Sequence, residues 1–302
     1  EIEERLRAND SESGAEGADG EAETEAELVR EMNERSRSTC AHLTAWQRVQ
    51  MSRHIDRPFT LDYVDALCTD FVELHGDRSF GDDAAIVAGL ALRGERGLAI
   101  VGHQRGRGTA EKVRRNFGMP RPEGYRKARR VFRLAARNGL GLLTFIDTQG
   151  AFPGTESEER GIAESIAGCI AELTALPVPI VAVVIGEGGS GGALALAVSD
   201  ALLMLEHSCL AVISPEGCAS ILERQRSPEL IARAADSLAL TAPRLHELGI
   251  ADEVVAEPVG GAHRNPGEAI RLAGEAIDGL SPAELRTRRD ARLRAIGRAA
   301  VR

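Results

Sequence analysis

The sequence predicts an α/β protein built around a parallel sheet. Two observations carry this reading. Residues 179–199 run from a β-branched apolar stretch through a glycine-rich turn into an apolar, alanine-rich helix, and residues 141–176 repeat that order. Asp147 and Gly186 hold equivalent places in the two units, 39 positions apart. A continuous apolar run suits a strand buried on both faces, and helices between parallel strands supply the cover.

In chain order, residues 10–24 are Glu, Gly, Ala and Ser with almost no large apolar side chain, so they are expected to be disordered. From 25 to 52 the pattern turns helical, with Leu28, Met32, Leu43, Trp46 and Val49 available for packing; Trp46, the only tryptophan, reads as a packing anchor. Pro58 stops that element. Thr60 then caps a helix carrying Leu61, Val64, Leu67, Phe71 and Leu74 at helical spacing, which polar residues 75–83 end. Residues 85–92 and 98–103 read as a hairpin across the turn 93–97. A loop carrying Gly106, Gly108, Gly118, Pro120 and Pro122 spans 102–124, a basic helix 125–138, and a buried strand 141–146. The turn 148–154 leads into a helix at 156–176, and the strand at 180–185 follows. Shorter strands are expected at 201–205 and 210–213, helices at 215–222, 228–235 and 243–248, and a charged helical end at 267–302. The organisation is thus a tail (1–24), an N-terminal helical region (25–83), a core (84–260) and a C-terminal helical region (261–302).

A chain of 302 residues is long enough for one large or two small domains with a sizeable core. No apolar run approaches the length of a membrane span, and no signal peptide is evident. Five scattered cysteines without a C-x-x-C pair argue against a zinc site and fit a reducing, cytoplasmic setting. The net charge of −9 is not an average property, because residues 1–34 alone carry 13 acidic and 3 basic side chains, leaving the remainder near neutral.

Residues 186–192 hold five glycines, broken by Glu187 and Ser190. A glycine turn opening a helix aims unpaired backbone N–H groups at an anion. It is not a P-loop, since no Lys-Ser/Thr follows, and no acidic ribose partner supports a dinucleotide site. Three readings stay open: an oxyanion hole for an enolate-like charge with donors near Gly191 and Gly192, a nucleophile elbow on Ser190, and tight helix–strand packing without chemistry. Asp147, at a strand end, is expected to cap the turn after it. Residues 105–137 carry twelve Lys/Arg against Glu111 and Glu123. That density suits the phosphates of a bulky cofactor, with Arg114 and Arg115 as candidates, or a solvated helix face, or nucleic acid. The seven histidines show no metal-ligand spacing; His103, beside the basic loop, is expected to be structural.

Five segments, GHQRGRGTAEKVRRNFGMPRPEGYRKA, TFIDTQGAFPGTESEERG, VIGEGGSGGALALAVSD, VISPEGCASIL and EPVGGAHRNP, together with AWQRVQMSRHIDRPFTLDYV, resemble the α subunit of bacterial acetyl-CoA carboxylase carboxyltransferase. The likeness extends from about residue 43 to the end. It implies the crotonase-like (ClpP/crotonase) spiral of ββα units. It also implies transfer of a carboxyl group from carboxybiotin, borne on a biotin carboxyl carrier protein, to acetyl-CoA, giving malonyl-CoA for fatty acid synthesis. A β subunit or domain would complete the active site in an α2β2 assembly, with this chain either separate or the α half of a fusion. Zinc would belong to the β partner alone, and no cofactor would be tightly bound here. Biotin, once decarboxylated, would itself take the proton from the acyl-CoA methyl group. By the resemblance the catalytic donors are the amides of Gly191 and Gly192, with Gly150 and Ala151 as the second set. Gly188, Gly189, Phe152, Arg114 and Arg115 would bind substrate. Gln149 and Phe152 stand where the family has proline and tyrosine. The alternatives are a longer acyl-CoA acceptor, a non-catalytic nucleic-acid-binding subunit using residues 105–137, and a hydrolase on Ser190.

Overall fold

A computed structural model of the chain describes residues 18–222 and 227–297. Helix α1 (Ala18–Ala41) begins inside the stretch expected to lack structure. Its alanines and glutamates are strong helix formers, which outweighs the scarcity of large apolar side chains. Residues 10–17 of that expectation lie outside the described residues. Thr44 opens α2 (Ala45–Ser52) with a capping box, its hydroxyl accepting from Gln47 N while the Gln47 side chain accepts from Thr44 N. Trp46 packs with Val49, Cys209 and Leu240, as its anchor reading required.

The next helix, α3 (Thr60–Leu67), stops short of Phe71 and Leu74. Cys68 is extended, and Thr69–Glu73 forms an edge strand, β1, where sequence spacing predicted continuing helix. Tertiary contact decides this. Gly89 on the neighbouring strand leaves room for Phe71, whose ring would lie 2.6 Å from a Cβ placed there. The hairpin forms as expected from β2 (Ile86–Arg93) and β3 (Arg96–His103), with Arg93 paired to Arg96 across only Gly94-Glu95.

The expected loop at 102–124 contains a short helix, α4 (Thr109–Arg114), and a turn of 3-10 helix at Asn116–Gly118. Helix α5 (Pro122–Asn138) starts with proline at its first position and ends on left-handed Gly139. Strand β4 (Gly141–Thr148) follows. The helix expected at 156–176 is broken into α6 (Thr155–Glu159) and α7 (Ile162–Ala175) by Gly161 at φ 77°. Strand β5 (Ile180–Gly189) continues four residues beyond its predicted end, straight into α8 (Ser190–Ala197). Then come β6 (Ala201–Leu205), β7 (Cys209–Ala211), α9 (Pro215–Leu222), α10 (Pro228–Ser237), α11 (Ala242–Glu247), β8 (Glu253–Val255), α12 (Pro266–Asp278) and α13 (Pro282–Ala295). Three-residue β8 was not foreseen, because so short a segment has no readable period.

The strands form one sheet in the order β1-β2-β3-β4-β5-β6-β8, antiparallel across β1, β2 and β3 and parallel beyond, with β7 paired to the far end of β5. Ladder partners thus divide β5: Val181–Val184 pair with β6, and Glu187–Gly189 with β7. Both faces are buried, as the apolar runs demanded. Leu142, Ile146, Ala182 and Val184 face Tyr125, Phe132, Cys169 and Leu196, while Leu143, Phe145, Val183 and Ile185 face Tyr63, Val64 and Ile270. Among the described residues no helix is long and apolar enough to cross a membrane.

Two buried ion pairs tie the ends of the chain to this sheet. Arg289 on α13 meets Asp200 and also donates to the carbonyls of Leu173, Leu176 and Val178. Arg57 pairs with Glu257 at 2.7 Å, both side chains almost fully buried, and donates to Ile185 O. Burial pushes the Glu257 carboxyl up, but the Arg57 charge and hydrogen bonds prevail and hold it at about 2, below its usual 4.5. A carboxyl lowered in the folded state stabilises above its unfolded pKa, and that contribution disappears as pH falls through 4.5 toward 2. Glu257→Gln, which leaves Arg57 buried with a neutral partner, should therefore cost about 3–5 kcal/mol at neutral pH by denaturant unfolding. The variant should also lose the acid-dependent part of the stability curve in that window.

Candidate active site

Strands β4 and β5 are parallel neighbours, and their C-terminal ends place two turns side by side. Their ladder runs in register to Ile146–Val184, shifts, and resumes at Thr148–Gly188. Asp147 fills the break. Its Oδ1 accepts from Glu187 N at 3.0 Å and meets Arg105 at 3.1 Å, while Arg105 also reaches Glu187 at 3.2 Å. Asp147 therefore bridges two strands instead of capping its own turn, which corrects the sequence expectation. A Cβ on Gly186 would stand 2.5 Å from Asp147 Oδ1, so the first glycine of the run is required by this carboxylate. Burial raises the Asp147 pKa and the Arg105 charge opposes that rise. Arg53 extends the network to Glu187 and Glu216.

The other glycines have similar local causes. A Cβ on Gly188 would lie 2.7 Å from Leu210, and one on Gly189 only 2.0 Å from Gln149 O. One on Gly192 would sit 2.5 Å from Ala151 N, 2.6 Å from Gly150 C and 2.9 Å from Tyr125 Oη. The backbone of the first turn thus presses on that of the second. Gly191 alone meets ordinary contacts, Ile166 at 3.7 Å. Gly189 and Gly192 thus admit the protein's own main chain, and Gly186 and Gly188 the side chains of Asp147 and Leu210. Gly188 is buried within its strand, which removes it as a substrate contact; Gly189 is committed to the Gln149 peptide.

The helix start supplies donors. Ser190, Gly191 and Gly192 are the first three residues of α8, whose amides have no acceptor within the helix. Among the described residues no loop carbonyl or side chain takes the Gly191 or Gly192 amide, whereas Ser190 N continues the β5–β7 ladder beyond the Gly189–Ala211 pair. Ala151 N is likewise without an acceptor there, and it lies against Gly192. Gly150 differs, because its N–H donates to Thr148 Oγ1 at 3.1 Å. Gly150 is thereby withdrawn from the expected donor set. Phe152 is pinned by its N–H to Pro120 O, and its ring lies under the Arg121 guanidinium at 4.9 Å.

Ser190 adopts φ 54° at the strand-to-helix junction and is exposed, the backbone setting of a nucleophile elbow. Among the described residues no histidine is hydrogen-bonded to it. His103 is fully buried, and burial lowers its imidazole to about 3, so the ring is neutral at physiological pH. His103 lies beneath the site, with the backbone of Gly192 and Phe145 beside its ring.

Most of the basic segment is paired internally. Arg126 meets Asp77 and Glu123, Lys127 meets Asp82, Arg129 meets Glu164 and Glu172, and Arg107 meets Asp62. Arg115, expected at a phosphate, is buried, with Nε on Glu111 and Nη1 on Ala84 O, which corrects that expectation. Among the described residues, Lys112 and exposed Arg114 on α4 make no ion pair. No group of three or more His, Cys, Asp or Glu among the described residues could hold a metal ion. The sequence reading missed the Arg105–Asp147–Glu187 network, whose members are joined only by the fold. It also missed Tyr125, whose helical spacing with Ala128 and Phe132 reads as plain core.

Comparison with known proteins gives the family and the fold. The family model "acetyl co-enzyme A carboxylase carboxyltransferase-like" matches residues 1–297. The acetyl-coenzyme A carboxylase carboxyl transferase subunit alpha of Halorhodospira halophila is 51% identical over 93% of this chain and 91% of its own. That of Geobacter sulfurreducens is 60% identical over 74% and 70%. Among solved structures, transcarboxylase 12S with hydrolysed methylmalonyl-coenzyme A bound superposes with TM-score 0.58 at 19% identity, over 75% of this chain and 44% of that one. The β subunit of geranyl-CoA carboxylase from P. aeruginosa gives TM-score 0.57 at 19% identity, over 81% and 46%. The fold is thus the crotonase-like one that the sequence implied.

Gly191 and Gly192 should respond oppositely to one added methyl group. Gly191→Ala should hold or raise the unfolding temperature, since alanine is the better helix former by about 1 kcal/mol and finds space. Gly192→Ala should lower it, because the clash is with backbone and overpacking costs about 1–3 kcal/mol. Thermal unfolding of the two variants side by side checks the assignment.

Proposed function

The chain belongs to the acetyl-coenzyme A carboxylase carboxyltransferase α-subunit family, and from that premise we propose the chemistry its turns perform. The chain is the α component of the half-reaction that moves a carboxyl group from carboxybiotin to acetyl-CoA, forming malonyl-CoA. Carboxybiotin arrives on a carrier protein and supplies the carboxyl group. A β subunit or domain, which would carry any zinc, closes the site, and an α2β2 assembly is the arrangement the family implies.

One observation carries the reading: Gly191 and Gly192, whose amides no loop carbonyl or side chain takes, open α8 where Gly192 lies against the equally unengaged amide of Ala151. Negative charge develops on carbonyl oxygens when the carboxyl leaves one carrier and when the acyl-CoA methyl carbon is activated. Gly191 and Gly192 are assigned to the ureido oxygen of biotin, and Ala151 to the second oxyanion. Fixed main-chain dipoles suit this work, since they need no reorganisation as the charge appears. Losing one such donor elsewhere costs about 3 kcal/mol, on the order of a hundredfold in rate. Among the described residues the two titratable groups nearest the donors do not serve as a base: Asp147 is held by Arg105 and Glu187 N, and His103 is buried and neutral. Positioning and charge stabilisation are therefore the contributions of this chain. Arg114, exposed at the end of α4, is assigned to the CoA phosphates.

Two measurements test this. Carboxyl exchange between malonyl-CoA and a biotin derivative should need both this chain and a β partner. Exchange by the chain alone, or none with any β partner, would overturn the assignment. In the active mixture, Arg114→Ala should raise the KM for acetyl-CoA several-fold and leave kcat nearly unchanged, whereas an unaltered KM would remove Arg114 from the substrate site.

A further inference from the structure

Two fully buried polar side chains converge on Gly192 from the side opposite solvent. Tyr125 reaches it from α5; its Oη would lie 2.9 Å from a Cβ on Gly192. His103 reaches it from the end of β3, on the face that also carries Ala99 and Val101, with the main chain of Gly192 and of Phe145 beside its ring. The phenol oxygen has no hydrogen-bond partner among the described residues, and the imidazole nitrogens make no close one, the backbone of Gly192 and of Phe145 being near enough only for a weak polar contact. Leaving such groups buried and unpaired is costly, by about 1–3 kcal/mol each. An apolar pair of similar shape would fill this place more cheaply, so a stability role does not explain them.

Their place in the fold suggests what does. Gly192 is the residue at which α8 and the Gly150–Ala151 turn meet, and the depth to which it seats sets where the amides of Gly191, Gly192 and Ala151 point. We propose that Tyr125 and His103 are positioning residues for carboxyl transfer, hydrogen-bonding the Gly192 and Gly150–Ala151 backbone from behind when the donors in front take up an anion. They touch neither substrate nor carboxyl group. In a buried network, hydrogen bonds polarise one another, so support behind a peptide strengthens and orients the donors in front. Burial keeps both groups uncharged, the phenol raised well above its ordinary range and the imidazole lowered. The inference rests on the oxyanion reading given above for the same turns.

The test uses Tyr125→Phe, which keeps the ring, with Tyr63→Phe as control. Tyr63 is also fully buried with an unpartnered hydroxyl, but it lies on the other face of the sheet. Both variants should be as stable as the parent or more so. Only Tyr125→Phe should lower kcat, by about tenfold, the rate equivalent of one hydrogen bond, at unchanged KM for acetyl-CoA. His103→Leu should act in the same sense, and His103→Gln, which restores a donor, should recover part of the loss. Turnover within twofold of the parent in both Tyr125→Phe and His103→Leu overturns the proposal. Glycine-selective 15N labelling of the full chain supplies a readout independent of turnover. The Gly191 and Gly192 amide resonances should move in Tyr125→Phe and stay put in Tyr63→Phe, and their failure to move also overturns it. A parent that is inactive with every β partner would sink the carboxyl-transfer reading, while the amide spectrum would still decide the positioning role.

Discussion

Everything at the site follows from one steric constraint: two backbone turns touch where no side chain may intervene. Gly189 lies on the Gln149 peptide, and Gly192 lies on the peptide joining Gly150 to Ala151. Side chains elsewhere keep peptides about a side-chain diameter apart. Removing them at these two places brings the start of α8 and the end of β4 into direct contact. The consequence is a patch of main-chain donors drawn from two elements distant in sequence. Its shape is fixed by covalent geometry and does not depend on rotamers.

Beneath that contact, charge holds the strands apart and together at once. Asp147 replaces a ladder partner for Glu187 N, and Arg105 neutralises the two carboxylates that this brings close. The β4–β5 ladder can therefore shift and diverge at this point without stranding a buried amide. That divergence lets β5 leave β6 and take up β7, so its last residues project toward the surface. Arg57 steadies the same place from the other side through Ile185 O.

The layers of the fold were legible because both strand–turn–helix units announce themselves by composition. The hairpin, the buried β4, the start of β5 and most later helices lie within a residue or two of expectation. Three failures have one origin, tertiary context. Phe71 fits a helical period as well as it fits the space over Gly89, and only the second is decisive. Residues 186–189 look like a turn, yet they remain strand because β7 is there to pair with them. Arg115 looks available in sequence, but Glu111 and Ala84 O claim it. At the site, the glycine turn that opens α8 was readable in composition and Ala151 came only from the resemblance, whereas the engagement of Gly150 by Thr148 left no trace. A local side-chain bond two residues away leaves no pattern in the letters. Tyr125 and His103 were hidden for a related reason: apolar periodicity marks burial and is silent about unpaired polar atoms.

The internal pairing of the arginines between Arg105 and Arg133 has a bearing on encounter rates. Carboxylates from α3, α5 and α7 cancel most of that charge within a few ångströms, and at physiological ionic strength the residual field fades over roughly 8 Å. A polyanion approaching this face would feel little attraction until nearly in contact. Capture of a phosphate-bearing molecule is then governed by diffusion and local fit, with scant electrostatic steering and a shallow dependence on salt.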